Sequence, residues 1–423
     1  MSYQYKVSKS KYRLGIEGEL IKINKKKFIN IGVIGCGSHA FRNIYPCFQF
    51  LPVNLIAVCD LNKEKARLFK KQFGAEDYYT DYKEMAKKRK LDAVFLILGF
   101  SEGGIPQYPP IANYFLEKGV PVWMEKPPAE NSLKIRKMIN SSNEGNTFAQ
   151  VGFKKMFMPS IRKVVEITRN KEFGKITTYL MRYPVDLPKD IRALEKADAR
   201  RFLDDFMHIA STILTIIGKP KELFYKRSFN EGGIATFIHN KNIVGAVHFS
   251  KGASEMSPLE FLEIVGENAN VILDNNVEIV YYPPSKRLSY GRTTSFLPNN
   301  SGGARYFIPE FSLGQLYNKG LFLLGYYHEL EHFVESVINK TPPRYADLND
   351  ALDIMEIYDA FAGEEGAIIK IGSNIRYIRK NSNERGFTKE FLCPNCKNKL
   401  VLKDGWNYNC KKCGRMVALS ELE

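Results

Sequence analysis

Apolar positions along the chain follow two regimes that change near residue 150. From residue 28, short continuous apolar runs alternate with stretches of helical spacing. Residues 28–34 form such a run, as a strand buried on both faces requires. A glycine turn and a helical stretch through Phe50 follow. Residues 54–58 and 93–98 repeat the strand pattern, and residues 63–73 and 83–90 the helical one. Residues 109–118 predict a helix that Gly119 ends as a C-cap, and residues 120–124 a fourth strand. This order specifies an open parallel sheet with helices on both faces, the Rossmann arrangement.

Beyond residue 150, residues 175–183, 222–229, 234–239, 244–249, 260–265, 269–273 and 277–282 read as strands. Connections as short as His239-Asn240-Lys241-Asn242 join them, which predicts a large, mostly antiparallel sheet. Helical spacing marks residues 160–170, 200–217, 327–339 and 348–362, and residues 283–325 are a long loop rich in Gly, Pro, Asn and Ser. The expected fold is an α/β Rossmann domain plus an α+β domain with a large, mostly antiparallel sheet and a small C-terminal zinc ribbon. The expected boundaries are a basic extension over residues 1–27, the Rossmann domain over 28–149, the α+β domain over 150–380 and the ribbon over 388–423.

Composition narrows the class. An apolar share of 44% and a charged share of 26% suit a folded domain and exclude collagen-like or disordered chains. There is no apolar run long enough to span a bilayer, and the polar first residues lack the core of a secretory signal. A cytoplasmic protein with no membrane association is expected. The net charge of +16 is spread along the chain, with clusters at residues 22–27 and 83–90. Spread charge of this kind reads as a lysine-rich soluble surface rather than a nucleic-acid interface.

Chemistry concentrates in three places. The first is Gly35-Cys36-Gly37-Ser38-His39-Ala40, a Gly-x-Gly-x-x-Gly/Ala fingerprint between a predicted strand and a predicted helix. Gly35 allows the tight turn, Gly37 the approach of a pyrophosphate, and Ala40 close packing of helix on strand. The helix start, through Ser38 and His39, offers N–H groups to phosphate. Asp60 ends the second strand, where a carboxylate accepts from ribose hydroxyls and repels a 2′-phosphate; NAD is expected over NADP.

The second is Glu125-Lys126-Pro127, at the carboxyl end of the fourth strand, and Asp204 with His208, four residues apart on one helix face. Lys126 is placed to stabilise a developing alkoxide, and a histidine beside a carboxylate makes a general base. The plain alternatives are a surface lysine before a proline turn and a solvated polar stripe that runs on through Ser211 and Thr215.

The third is Cys393, Cys396, Cys410 and Cys413, two Cys-x-x-Cys pairs thirteen residues apart. Four thiolates at this spacing suit a structural zinc with no open coordination position. The attached module could serve protein contacts. Cys36, Cys47 and Cys59 are scattered among apolar residues and read as buried, reduced thiols.

Taken together, these motifs resemble the glucose–fructose oxidoreductase/inositol dehydrogenase (Gfo/Idh/MocA) family, over about residues 28–371. The segment from Gln150 through Pro159 and the helix around Tyr327 to Phe333 add to the resemblance. It implies an NAD-dependent oxidoreductase that moves hydride between nicotinamide and a carbinol or carbonyl of a sugar, polyol or nucleotide sugar. It implies Lys126, Asp204 and His208 as the catalytic set, with Asp204 orienting His208. Gly35, Gly37, Ser38, His39, Ala40, Asp60, Tyr108, Glu125 and Lys126 would contact the cofactor. A cis Lys126–Pro127 bond and a homo-oligomer are also implied.

Two departures stand out. Tyr108 stands where the family often has a histidine near the cofactor, after an unusually Gly-rich turn over residues 99–106 that carries Glu102. Arg200-Arg201 replaces a glycine pair and reads either as anion recognition or as surface charge. The competing functional class is a non-catalytic dinucleotide-binding sensor or scaffold that uses the ribbon for partner contacts.

Overall fold

The computed structural model describes residues 27–284, 303–309, 319–372, 375–379, 387–392, 398, 400–404, 407–413 and 416–418. The N-terminal extension, except Lys27, lies outside the described residues, as do Cys393 and Cys396.

The first sheet has six strands: β1 (Ile29–Ile34), β2 (Val53–Cys59), β3 (Asp77–Tyr79), β4 (Ala93–Leu96), β5 (Val122–Glu125) and β6 (Ala149–Gly152). Their order is β3-β2-β1-β4-β5-β6, and every pair is parallel. Strand order reverses between β1 and β4, which opens a crevice at their carboxyl ends. Helices α1 (Lys63–Phe73), α2 (Tyr82–Lys88), α3 (Tyr108–Leu116) and α4 (Ser132–Glu144) connect the strands.

Asn62, Asp81 and Asn131 cap α1, α2 and α4 by accepting main-chain N–H groups, and Gly74 ends α1 in the left-handed region. β3 has three residues, too few for a periodicity to register. β6 crosses the boundary expected at 149/150, because its partner β5 takes it up in register from Val122↔Ala149 to Glu125↔Gly152.

The helix after the glycine turn is not uniform. It winds as a π-helix over Ala40–Ile44 and tightens to a 3-10 helix over Tyr45–Phe50. The Tyr45 N–H bonds the Ala40 carbonyl five residues back, and Pro46 has no N–H with which to continue.

The second sheet has nine strands: β7 (Ile176–Tyr183), β8 (Glu222–Arg227), β9 (Gly233–Ile238), β10 (Val244–Phe249), β11 (Phe261–Gly266), β12 (Asn270–Asp274), β13 (Glu278–Tyr282), β14 (Arg305–Phe307) and β15 (Ile369–Lys370). They lie in the order β14-β13-β12-β11-β7-β10-β9-β8-β15. The sheet is mixed: β7 and β10 are parallel while the other pairs run antiparallel. The long connection between β7 and β10 holds a helix and the β8–β9 hairpin, which lets the chain re-enter from the same end. One face is covered by α5 (Pro159–Arg169), α6 (Ala197–Ile216) and α9 (Leu348–Ala360).

α8 (Tyr326–Asn339), preceded by α7 (Lys319–Leu323), does not join that layer. It returns to the first sheet, where Leu330, Phe333 and Val334 share a core with Ile31, Val33, Phe95 and Trp123. The Phe95 and Phe333 rings meet edge to face at 5.3 Å. Boundaries drawn from the sequence placed this helix with the α+β domain. The apolar face of β1, β4 and β5 needs a cover, and this late segment supplies it.

β16 (Ile375–Arg379) and β17 (Phe387–Phe391) form a hairpin across the boundary expected between 380 and 388. β18 (Leu400–Asp404), β19 (Asn407–Cys410) and β20 (Met416–Ala418) form a small antiparallel sheet. No helix among the described residues is long and apolar enough to cross a membrane.

Candidate active site

The glycine turn is built by steric exclusion. Gly35 has φ +110°, and a Cβ there would lie 2.0 Å from the Ile97 carbonyl oxygen. A side chain is therefore excluded both by conformation and by β4. Gly37 is the opposite case: nothing lies within 4 Å of a Cβ placed there. Gly37 and Ser38 are exposed, and Ala40 is fully buried. Asp60 pins the turn, since its Oδ2 accepts the Cys36 N–H at 2.8 Å and its Oδ1 the Asn62 N–H at 2.8 Å. An open turn tip, a helix start and a carboxylate at the end of β2 are the parts that a dinucleotide's pyrophosphate and ribose require, so these residues fit one.

Glu125 ends β5 and is almost completely buried. His39 Nε2 lies 2.9 Å from Glu125 Oε1, and its Nδ1 lies 3.2 Å from Asn43 Nδ2. The Lys126 N–H donates to the other oxygen, Oε2, at 2.7 Å. Burial opposes the charge on Glu125, but the His39 bond and the Lys126 charge outweigh it and hold the carboxyl below its usual value. Glu125 thus ties the fingerprint turn to the Lys126 loop. The Lys126–Pro127 peptide is cis.

Lys126 crosses to α6. Its Nζ donates to Asp204 Oδ1 at 2.8 Å, and the Asp204 carbonyl lies 3.4 Å away. Asp204 therefore directs its carboxylate to Lys126 rather than to His208, the partner the resemblance implied. One turn on, His208 is 8% exposed. The polar stripe it opens is not solvated. The Ser211 and Thr212 hydroxyls both bond the His208 carbonyl, and the Thr215 hydroxyl bonds the Ser211 carbonyl. Burial, then the charges of Lys126, Lys154, Lys155 and His39, hold the His208 imidazole well below its ordinary value. It is neutral at pH 7.

Four further groups were not singled out by residue in the sequence. Lys154 follows β6, and its Nζ donates to the Tyr326 hydroxyl at 3.0 Å and lies 4.6 Å from the ring centre. Tyr326 opens α8 and meets the His39 ring edge-on at 5.7 Å. Lys155 is buried and holds both Glu260 oxygens, at 2.8 and 2.6 Å. Glu329, on α8, is fully buried with neither carboxyl oxygen hydrogen-bonded. Burial and then the Glu125 charge push its carboxyl well above the usual range, towards its protonated form. Lys154 and Lys155 lie in the Gln150–Pro159 segment and Glu329 in the Tyr327–Phe333 segment that contributed to the resemblance, but those segments did not mark the individual side chains.

Tyr108 is placed differently from the expectation. It is 2% exposed in the first core. Its hydroxyl accepts the Leu98 N–H at 3.0 Å and donates to the Leu98 carbonyl at 2.6 Å. It braces the chain leaving β4 instead of presenting a polar atom to a cofactor. The Gly-rich turn has a packing role as well: a Cβ on Gly104 would lie 1.7 Å from the Leu194 carbonyl oxygen. Arg200 is occupied by the Leu194 and Glu195 carbonyls, and Arg201 faces Asp205 at 3.5 Å.

In the small C-terminal sheet, Cys410 is buried at the end of β19 and Cys413 is exposed just beyond it. Among the described residues, no group of three or more His, Cys, Asp or Glu side chains is arranged to hold a metal ion.

Known proteins resemble this chain in its first sheet and in its fold. Residues 29–153 match the Gfo/Idh/MocA family model, described as an oxidoreductase family with an NAD-binding Rossmann fold. The chain is 24% identical over 184 residues to the trans-1,2-dihydrobenzene-1,2-diol dehydrogenase of Xenopus tropicalis, covering 43% of this chain and 54% of that protein. The match thus spans about half the length of that relative. It is 24% identical over 326 residues to the myo-inositol 2-dehydrogenase of Thermotoga maritima, covering 74% of this chain and 90% of that one. A levoglucosan dehydrogenase solved with NADH superposes with a TM-score of 0.66 at 14% identity, covering 82% of this chain and 99% of that one, a likeness of fold.

Proposed function

We propose that the chain is an NAD-dependent dehydrogenase or reductase of the Gfo/Idh/MocA family, acting on a carbinol of a sugar-like substrate. The observation that carries this reading is the Lys126–Asp204 pair, 2.8 Å apart, with the neutral His208 one turn further along α6. It brings a cation from the cofactor-facing end of β5 together with an acid–base helix from the second sheet. The relatives' names, all dehydrogenases of hydroxylated rings, support the reaction class.

The exposed turn at Gly37 and Ser38 would hold the pyrophosphate, and Asp60 the adenosine ribose, which favours NAD over NADP. Bound NAD supplies the hydride acceptor. Lys126 donates a hydrogen bond to the substrate oxygen and stabilises negative charge as it develops there. Asp204 holds the Lys126 ammonium in place. His208, being neutral, accepts the hydroxyl proton. Glu125 and His39 keep the lysine loop and the cofactor turn in fixed relation.

Two further assignments belong to this reading. The three-stranded C-terminal sheet and the two Cys-x-x-Cys pairs suit a zinc ribbon in which Cys393, Cys396, Cys410 and Cys413 hold structural zinc. Metal analysis of the purified protein should give one zinc per chain, lost in Cys410→Ser. The face of the second sheet away from the helices carries exposed Leu180, Phe224, Ile234 and Val244, a surface suited to a second copy of the chain. Light scattering should show a dimer or a larger homo-oligomer in a cytoplasmic protein.

The activity test is NAD(H) titration followed by nicotinamide absorbance across sugars, polyols and nucleotide sugars. Turnover lost in Lys126→Ala and His208→Ala supports the dehydrogenase. Dinucleotide binding without turnover on any substrate would favour a sensor, and absence of binding would overturn the proposal.

A further inference from the structure

Three lysines act electrostatically on His208, and their charges are compensated unequally. Lys126 is paired with Asp204, and Lys155 with both oxygens of Glu260. Lys154 has no carboxylate within ion-pair distance among the described residues; its neighbour is the Tyr326 hydroxyl at 3.0 Å. The carboxylates nearby do not pair with it. Glu125 is committed to His39 and the Lys126 N–H, and the buried Glu329 makes no hydrogen bond with either oxygen. Lys154 is half-buried, so its ammonium is partly desolvated without compensation, a costly state unless an anion arrives.

Its place is that of a substrate group. Lys154 follows β6 at the carboxyl edge of the sheet, the ligand-binding edge of this fold. Tyr326 touches the His39 ring of the cofactor turn, and the Lys154 charge helps depress His208. The pair therefore borders the fingerprint turn and acts electrostatically on the base. Arg200 and Arg201, the cations that the sequence offered for anion recognition, are already bonded to carbonyls and to Asp205.

We propose that Lys154 and Tyr326 form an anion subsite that takes a carboxylate of the substrate, so that the substrate is a sugar acid. Resting on the dehydrogenase reading, this names its substrate class. Lys154 donates to the oxygen of the Tyr326 hydroxyl, which leaves the hydroxyl proton and two ammonium protons to donate. Two adjacent donors match the two oxygens of a planar carboxylate. A phosphate dianion carries two negative charges, against the single ammonium charge of this pair. With the carboxylate at Lys154, Lys126 remains for the reacting carbinol oxygen.

The experiment titrates matched pairs into the NADH-saturated full-length protein and reads cofactor fluorescence. The pairs are glucuronate and glucose, galacturonate and galactose, and gluconate and glucitol, with glucose 6-phosphate as the phosphate arm. At least one acid should bind about tenfold or more tightly than its neutral partner, the range of one charge-assisted hydrogen bond. Lys154→Met should collapse that ratio towards one, Lys154→Arg should retain most of it, and Tyr326→Phe should reduce it. Equal affinity for acid and neutral partners, an unchanged ratio in Lys154→Met, tighter binding of the phosphate, or no acid bound at all would each overturn the subsite. NADH formation is read separately on the same ligands. Acid binding without turnover would sink the dehydrogenase and leave the subsite standing. Turnover of neutral sugars without acid preference would do the reverse.

Discussion

Lys126 and Asp204 stand 78 residues apart in sequence and 2.8 Å apart in the fold, and their ion pair joins the end of the parallel sheet to the helix of the second one. Asp204 is thus a positioning group for the lysine. Lys126→Met should lower kcat by about 10²-fold or more, the usual effect of removing a preorganised donor to a developing oxyanion. Asp204→Asn keeps a hydrogen-bond acceptor and should cost less. Steady-state kinetics of the two variants on one substrate checks the order; equal losses would place Asp204 in direct contact with the reacting atoms.

Gly35 and Gly37 should separate folding from cofactor binding. Gly35→Ala puts a Cβ 2.0 Å from the Ile97 carbonyl and strains a φ of +110°. It should destabilise the first sheet by several kcal/mol, on the scale of strained, overpacked sites, or abolish soluble expression. Gly37→Ala meets nothing within 4 Å and should fold normally. On the proposed cofactor reading its Cβ would stand where the pyrophosphate approaches, so the NAD affinity should fall. Chemical denaturation beside NAD titration reads both effects.

The buried His208 gives a pH signature. Its folded pKa lies well below the ordinary histidine value, through burial first and the surrounding lysines second. It remains a competent base as pH falls from 8 to 6, so kcat/KM for alcohol oxidation should not show an acid limb near 6.5 from this group. Its stability linkage has the same sign. A depressed folded pKa leaves the fold at full stability above 6.5 and weakens it as pH falls through and below that value. A pH–rate profile breaking near 6.5, and moved by Lys154→Met, would assign the break to this histidine and contradict the placement.

Glu329 should behave in the opposite sense. Burial and the neighbouring Glu125 raise its carboxyl well above the usual range. The folded state therefore binds a proton that the unfolded state releases, and stability declines as pH rises above about 4.3, the ordinary glutamate value. Glu329→Gln is isosteric and cannot ionise. The variant should gain Tm relative to the parent as pH is raised from 5 to 8. Parallel Tm curves for parent and variant would mean that Glu329 is already charged at pH 5.

The sequence by itself determined what local patterns can encode. Strand–helix alternation, the Gly35–Ala40 fingerprint, Asp60 at a strand end and Lys126 before a proline specified a parallel sheet and its ligand edge. In each of these, residue type and spacing act over a few residues. Long-range packing decided the rest. α8 joins the first core because Phe95 and Trp123 need a cover, and that joining brings Tyr326 to His39 and buries Glu329. Asp204 faces Lys126 because two sheets dock there, and helix periodicity could only place it on the same face as His208. The surroundings of Lys154, with Glu125 from β5 and Tyr326 from α8, are set by residues remote from it in the chain. Electrostatic environment is a property of the assembled fold, and no run of residues carries it.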